Sequence, residues 1–335
     1  MIVWQFLVLF AYGCSLSKLH FAGFRDRLFD KDPFPLAIWY PSHTQEGPVR
    51  HMGVTSKAAR GGDFAGDGPY PLVMFSHGSE GHRFNQFWLA EYLARRGYIV
   101  AAPQHVGDNY LDPSDARQLT IIERRPQEMT LALDLLLSHG DVAAHIDRDR
   151  IYALGHSAGG ATVLKMAGWH FDASAWQSYC DINADLDRVI CQHVPGDDIV
   201  DALYARYGGP VVSARDDRVS AVIAVAPAFG VAATADGFDG VSVPMLFIEA
   251  DTDEILPEAA NAAHFRNLLR GRAKFVKVKG AGHYSFLPTC TPYIAENFGY
   301  LCRDFGRERH EIHRTVEQVI LKFLNDMKTG EIQGR

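Results

Sequence analysis

Arg150-Ile151-Tyr152-Ala153-Leu154-Gly155-His156-Ser157-Ala158-Gly159 decides the reading of this chain. Five residues of strand character run into a Gly-x-Ser-x-Gly turn, and an apolar stretch from Ala161 to Trp169 follows. Strand, sharp turn and helix with a serine at the apex make a nucleophile elbow in the context it requires. A turn this tight forces the serine into a strained backbone conformation, and larger side chains two places before or after it would collide across the turn. Gly155 and Gly159 meet that demand. The helix behind the serine presents unpaired N–H groups at its N-terminus, where an oxyanion can be stabilised. The plain alternative is a Gly/Ser-rich loop without chemistry, and the strand and helix on either side argue against it.

A serine hydroxyl is a weak nucleophile until a base takes its proton, so a histidine and a carboxylate to hold that histidine are needed elsewhere. Val243 to Ala250 reads as a buried parallel strand ending in Asp251-Thr252-Asp253-Glu254-Ile255-Leu256-Pro257. Ala273 to Val278 alternates in period 2, as a strand near a sheet edge does, and leads into Gly280-Ala281-Gly282-His283. These loops nominate Asp253 as the acid and His283 as the base. Ser157, Asp253 and His283 each follow a predicted strand, where active sites of parallel sheets gather. Asp251 competes with Asp253. The spacing small-x-x-Asp-x-x-x-Pro favours Asp253, four residues before Pro257, and leaves Asp251 to bond loop backbone.

The assembled pattern resembles the α/β-hydrolase superfamily over about residues 21–328, and within it the platelet-activating-factor acetylhydrolase and predicted dienelactone hydrolase group. The resemblance rests on Ala22-Gly23-Phe24-Arg25, Ile38-Trp39-Tyr40-Pro41, Phe75-Ser76-His77-Gly78-Ser79, Ile146-Asp147-Arg148-Asp149-Arg150-Ile151, the stretch Gly155 to Thr162, and Gly280-Ala281-Gly282-His283. It implies the α/β-hydrolase fold: a mostly parallel sheet with helices on both faces and a cap insertion, the triad in the order Ser, Asp, His. It also implies a second oxyanion donor after His77-Gly78, so that the backbone N–H groups of Ser79 and Ala158 form the oxyanion hole. Because backbone donates, the Ser79 side chain is expected to tolerate replacement, and the ring of His77 is expected to pack and orient its loop. Two departures shape the reading. Dienelactone hydrolases proper carry cysteine at the elbow, where this chain has Ser157, and the acetylhydrolases place their acid after the sixth strand, where Ala224-Val225-Ala226-Pro227-Ala228 has no carboxylate.

The resulting expectation is a serine esterase acting on small-molecule carboxylic esters, with short or small apolar acyl groups, through an acyl-enzyme. No cofactor or metal is called for. An amidase or peptidase, or a phospholipid acetylhydrolase, would use the same triad, and a non-catalytic binding protein of this fold is the remaining alternative. Oligomeric state is not legible. With 335 residues, 47% hydrophobic and 22% charged, the chain suits one catalytic domain with a large core. A net charge of −7 with isolated basic pairs (Arg95-Arg96, Arg124-Arg125) argues against nucleic acid, which needs clustered Lys and Arg.

Residues 1–14 read as a targeting segment: almost wholly apolar through Tyr12, too short to span a bilayer, and followed by Ala11-Tyr12-Gly13-Cys14, similar to a lipoprotein processing site. Tyr12 fits that site imperfectly and a basic n-region is lacking. Of five cysteines, Cys180 and Cys191 lie close in sequence, as do Cys290 and Cys302, which leaves Cys14 for lipidation and a possible lipid anchor to a membrane. Two local disulfides imply export, whether periplasmic, membrane-anchored or secreted. The alternative is four free thiols, an uncleaved apolar tail and a cytoplasmic protein.

Between these landmarks, Arg25 to Phe29 and Leu36 to Tyr40 are expected to pair antiparallel, and the polar stretch from Ser42 to Gly68 to form a long excursion. Helices are expected over Phe84 to Arg96, Arg125 to Leu137 and Val316 to Phe323, with a strand over Tyr98 to Ala102. Residues 169–217 are too long for a connector and are expected to form the cap, where Trp169, Phe171, Trp176, Tyr179, Tyr204 and Tyr207 either wall an acyl pocket or build a satellite core. Asp181 to Asp187 spaces oxygens like the start of a calcium loop, but Leu186 stands at the glycine position and Gln192 where glutamate belongs. His310 and His313 have no third ligand and suit a helix face. His105, Asp108 and Asn109 follow a strand near the expected pocket, either touching substrate or shaping a loop.

Overall fold

The computed structural model describes residues 19–27, 34–66, 68–138, 140–193 and 214–331. The segment 1–14 expected to direct export, with Cys14, and Tyr204 and Tyr207 of the expected cap lie outside them. The strands are β1 (Phe21–Arg27), β2 (Leu36–Ser42), β3 (Gly47–His51), β4 (Val54–Arg60), β5 (Tyr70–Ser76), β6 (Ile99–Pro103), β7 (Ile146–His156), β8 (Val219–Val225), β9 (Met245–Ala250) and β10 (Lys274–Val278). They form one sheet in the order β10-β9-β8-β7-β5-β6-β2-β1-β4-β3. From β6 to β10 every neighbouring pair is parallel, and β2 joins antiparallel to β6 and β1.

The helices are α1 (Phe87–Ala94), α2 (Ile121–Ser138), α3 (Gly140–Ala143), α4 (Ala158–Met166), α5 (Ala173–Asn183), α6 (Arg188–Cys191), α7 (Ala262–Leu268), α8 (Pro292–Asn297) and α9 (Arg309–Thr329). Alternation along the central strands divides the core in two. Leu72, Met74, Ile151, Ala153, Val222, Ala224 and Phe247 face one layer with Met129, Leu133 and Leu136 of α2, Leu164 of α4 and Phe265 of α7. Their neighbours Val73, Phe75, Tyr152, Leu154, Ile223, Leu246 and Ile248 face the other, with Leu89 and Leu93 of α1 and Val316, Ile320 and Phe323 of α9. A parallel sheet covered on both faces explains why these strands read as continuous apolar runs. Each fully buried aliphatic or aromatic side chain contributes roughly 1.5–3 kcal/mol relative to an exposed one.

Several expected boundaries move. The stretch from Ser42 to Gly68 is no open excursion, because β3 and β4 pair as a hairpin whose turn, Met52-Gly53, has positive φ at both residues (48° and 83°). That is the backbone a two-residue hairpin turn requires. At the rim of the sheet these strands need little apolar alternation, so polar composition hid them. α2 starts at Ile121, four residues before the expected Arg125, and carries Pro126 inside it. In its apolar run Met129, Leu133 and Leu136 are buried, whereas Leu131, Leu135 and Leu137 are only half-buried. α1 is shorter than expected, and α9 extends the expected C-terminal helix at both ends.

Both expected cysteine pairs are disulfides: Cys180–Cys191 joins α5 to α6, and Cys290–Cys302 closes the loop containing α8. Of the described aromatics in the stretch expected to form a cap, Trp169 and Trp176 belong to the main core, while Phe171 and Tyr179 are half-buried against it. Among the described residues no helix is long and apolar enough to cross a membrane. Intact-mass measurement of denatured protein before and after reductant should show a gain of about four hydrogens, and loss of either bridge should cost about 2–4 kcal/mol of stability. No mass gain contradicts the pairing.

Candidate active site

Ser157 sits between β7 and α4 with φ 56° and ψ −119°, a conformation sparsely populated for any residue with a Cβ. Such a backbone costs on the order of 1–3 kcal/mol and persists only where its surroundings hold it. Here the Ser157 N–H donates to the Val225 carbonyl at 2.9 Å, and its own carbonyl accepts from Gly160 at 2.8 Å and Ala228 at 3.1 Å. Close approach explains the two flanking glycines. A methyl group on Gly155 would lie 2.0 Å from the Gly159 carbonyl oxygen, and one on Gly159 2.0 Å from that of Ser76.

His283, the candidate base, lies in the loop after the edge strand β10. His283 Nε2 lies 3.0 Å from Ser157 Oγ, and its Nδ1 lies 2.9 Å from Asp253 Oδ2. Serine, imidazole and carboxylate therefore form one connected relay, with His283 2% exposed. Burial pushes the Asp253 carboxyl up, but the facing His283 and N–H bonds from Leu256 and Ile255 outweigh it, so its pKa is held below the ordinary value. The other oxygen, Oδ1, accepts those two N–H bonds at 2.8 and 3.0 Å, which fixes the carboxylate in its loop. Asp251 points elsewhere: its Oδ2 accepts the Gly280 N–H at 3.2 Å.

Two residues that sequence reasoning passed over hold His283 from behind. The Glu254 Oε2 accepts the His283 backbone N–H at 2.8 Å, and His156 Nε2–H donates to the His283 carbonyl at 3.1 Å. Burial, reinforced by the neighbouring His283, pushes the pKa of His156 down to about 3. It is a neutral donor at any ordinary pH. Its place inside the pentapeptide was the available signal, since a ring next to the nucleophile must point into the fold.

Ser79, expected as one oxyanion donor, lies exposed in the loop after β5, and Ala158, expected as the other, directly follows the serine. Ala158 opens α4 and is buried, and among the described residues neither N–H has an acceptor. A buried N–H without a partner is rare unless something else accepts it. The His77 ring donates from Nδ1 to the Gly78 carbonyl at 2.8 Å and accepts the His105 N–H at 3.1 Å, so it orients the loop. Indifference of the Ser79 side chain does not fit the structure, because its hydroxyl donates to Asp108 at 2.7 Å. His105, Asp108 and Asn109 are all buried loop-shaping groups. His105 lies between Ser76 Oγ (2.8 Å) and Glu128 (2.7 Å), and Asn109 bonds the His105 carbonyl and the Leu111 and Asp112 N–H groups.

The motifs set aside also find structural uses. Asp187 caps α6 by accepting from Ile190 and takes a bond from the Tyr179 hydroxyl. His313 stacks on Trp88 with ring centroids 3.7 Å apart and bonds the Ser285 and Leu287 carbonyls.

The buried imidazoles make acid stability a readout of this site. With its folded value near 3 against an ordinary 6.5, His156 stays unprotonated where the unfolded chain binds a proton, so its stabilisation is complete above about pH 6.5 and is lost as pH falls toward 3. His82 and His313, both held near 4 by burial, act in the same direction. Urea titrations at stepped pH should show His156→Gln lowering the slope of unfolding free energy by about 1.4 kcal/mol per pH unit between about pH 5 and 4. An unchanged slope contradicts a neutral, donating ring.

Comparison with known proteins agrees with this architecture. The model of one family, platelet-activating factor acetylhydrolase, isoform II, matches residues 49–111, which include β5 and the loop carrying Ser79. A platelet-activating factor acetylhydrolase of Canis lupus familiaris is 31% identical over 139 residues, covering 29% of this chain and 31% of that protein. Cutinase est1 of Thermobifida alba is 28% identical over 139 residues, covering 36% of this chain and 43% of that one. The chain thus spans less than half the length of these curated relatives. Over its whole length it is similar to a solved structure, the ferulic acid esterase from Streptomyces cinnamoneus, with TM-score 0.60 at 20% identity, covering 94% of this chain and 91% of that one. Together with the sheet order, the strained serine after β7 and the histidine after β10, these likenesses show that the chain has the α/β-hydrolase fold.

Proposed function

We propose that the protein is a serine-dependent carboxylic-ester hydrolase working through an acyl-enzyme. The observation that carries this reading is the unbroken relay from Ser157 Oγ through His283 to Asp253, at 3.0 and 2.9 Å. As Ser157 attacks the ester carbonyl, His283 Nε2 takes its proton and Asp253 stabilises the imidazolium. The Ser79 and Ala158 N–H groups receive the oxyanion. Loss of one such donor typically costs about 3–4 kcal/mol of transition-state stabilisation. Collapse expels the alcohol, protonated by His283, and a water activated by the same imidazole then releases the acid.

The substrate is a small-molecule ester. The names acetylhydrolase, cutinase and ferulic acid esterase among the similar proteins support ester rather than amide cleavage. The chain is organised as a single catalytic domain over residues 21–328, in which residues 169–217 form a cap that sets acyl size, a role supported by Phe171 and Tyr179, half-buried against the core. The two disulfides support work outside the reducing cytosol, in keeping with export directed by residues 1–14 and anchoring through Cys14. A second reading, removal of a short acyl group from a phospholipid, is favoured by the family match over residues 49–111.

Covalent labelling with a serine-directed phosphonate should mark the protein and be lost in Ser157→Ala. Asp253→Asn should lower kcat by about 10⁴-fold, as loss of the orienting carboxylate does in comparable triads, whereas Asp251→Asn should stay within about threefold of wild type. The reverse ranking of the two aspartates assigns the acid to Asp251. A panel of p-nitrophenyl esters of increasing chain length, run beside a short-acyl phospholipid, separates the two substrate readings. Hydrolysis confined to the phospholipid would favour the second.

A further inference from the structure

Below the loop that carries Ser79 lies a buried ionic layer that none of the steps above uses. Asp108 is fully buried, and Arg125 on α2 is 1% exposed. Their ion pair closes at 2.9 Å. The remaining oxygen of Asp108 accepts twice from the loop above, from the Ser79 hydroxyl at 2.7 Å and from the Glu80 N–H at 2.8 Å. Arg125 reaches the strand end from the other side, donating to the His77 carbonyl and to Ser76 Oγ at 3.4 Å. Glu80 has a φ of 52°, so the bend directly after Ser79 is one that a residue with a Cβ rarely adopts. The loop itself runs against the nucleophile: a methyl group on Gly78 would lie 3.4 Å from Ser157 Cβ.

We propose that Asp108, held by Arg125, is the positioning residue of the oxyanion loop, gripping the Ser79 hydroxyl and the Glu80 N–H so that the Ser79 backbone donor stays where the oxyanion develops. The inference rests on the ester-hydrolase reading and deepens it. Two hydrogen bonds to one charged acceptor define both position and rotation of a short loop, as neither does alone, and charge-assisted bonds of this kind are the strong ones. A fully buried carboxylate is costly unless paired and hydrogen-bonded, and Asp108 has both kinds of partner. Preorganised donors need such rigidity, because a loop that must rearrange when charge develops forfeits its advantage over water.

The role predicts a particular kinetic pattern. Ser79→Ala removes one grip at an exposed position without disturbing the buried pair, and Asp108→Asn removes the charge that serves both grips. Each should lower kcat on a p-nitrophenyl ester, by about tenfold or more for Asp108→Asn, with KM within about twofold. Phenylboronic acid, which forms a tetrahedral adduct on the serine, should bind more weakly by a similar factor, and Ser79→Thr, which keeps the hydroxyl, should restore both values. A purely structural role would lower the melting temperature without separating boronate affinity from KM. If Ser79→Ala, folded as judged by its melt, keeps wild-type kcat and boronate affinity, or loses kcat while boronate affinity holds, the proposal is overturned. Should Asp108→Asn fail to fold, Ser79→Ala and Ser79→Thr still decide. Ser157→Ala serves as the separate control: hydrolysis that survives it defeats the ester-hydrolase reading itself, whereas its loss beside unaffected Ser79 variants defeats the positioning role alone.

Discussion

One backbone conformation organises this molecule: a serine at φ 56° held between the end of β7 and the start of α4. The strain is sustained by the Ser157 N–H donating to Val225 and by Gly160 and Ala228 donating to the Ser157 carbonyl, so β8 and its following turn are as much a part of the elbow as the pentapeptide. The constraint propagates outward. It demands glycines at 155 and 159, brings α4 close under the end of β5, and leaves the Ala158 N–H without an acceptor among the described residues. Parallel pairing of β5 and β7 then sets the Ser79 loop and the nucleophile side by side at the carboxyl end of the sheet.

Around that point the buried polar groups fall into two clusters. On the base side, Asp253, Glu254 and His156 contact His283 through its ring, its N–H and its carbonyl, so the imidazole is fixed from three directions. On the oxyanion side, Arg125, Asp108, His105 and Glu128 form a buried polar layer between α2 and the loops after β5 and β6. Burial pushes the Glu128 carboxyl up to about 8 and lowers the His105 imidazole well below its ordinary range. Both shifts reflect the same cost of charge in the core. A layer of this kind adds little net stability over apolar packing, but it admits only one arrangement of the loops it joins.

How much was legible in sequence follows from which features are local. Ser157 and Asp253 each sit just past an apolar run and His283 past an alternating strand, so position in the strand rhythm pointed to them, and the spacing to Pro257 favoured Asp253 over Asp251. The paired cysteines lie 11 and 12 residues apart and were equally readable. β3 and β4 escaped because rim strands can be polar, and their turn at Met52-Gly53 lacks the usual Asn-Gly or Asp-Gly sequence. Asp108 was singled out as a possible loop-shaping group, but its pairing with Arg125 escaped, because both residue types are ordinarily exposed and only the meeting of α2 with a distant loop buries them. Arg125 and Glu128 on the same face of α2 as Met129 and Ala132 were the one available hint, since charges within an apolar stripe must be paired inside.

The central claim is that the constrained hydroxyl of residue 157 is the atom acylated in turnover. Rapid mixing with p-nitrophenyl acetate, followed by acid quench and peptide mapping, tests it most directly. A burst of about one equivalent of p-nitrophenol with the acetyl group found on the peptide containing Ser157 is the predicted result. Steady hydrolysis with no burst in any pH range, or an acetyl group recovered on another residue, would contradict the account.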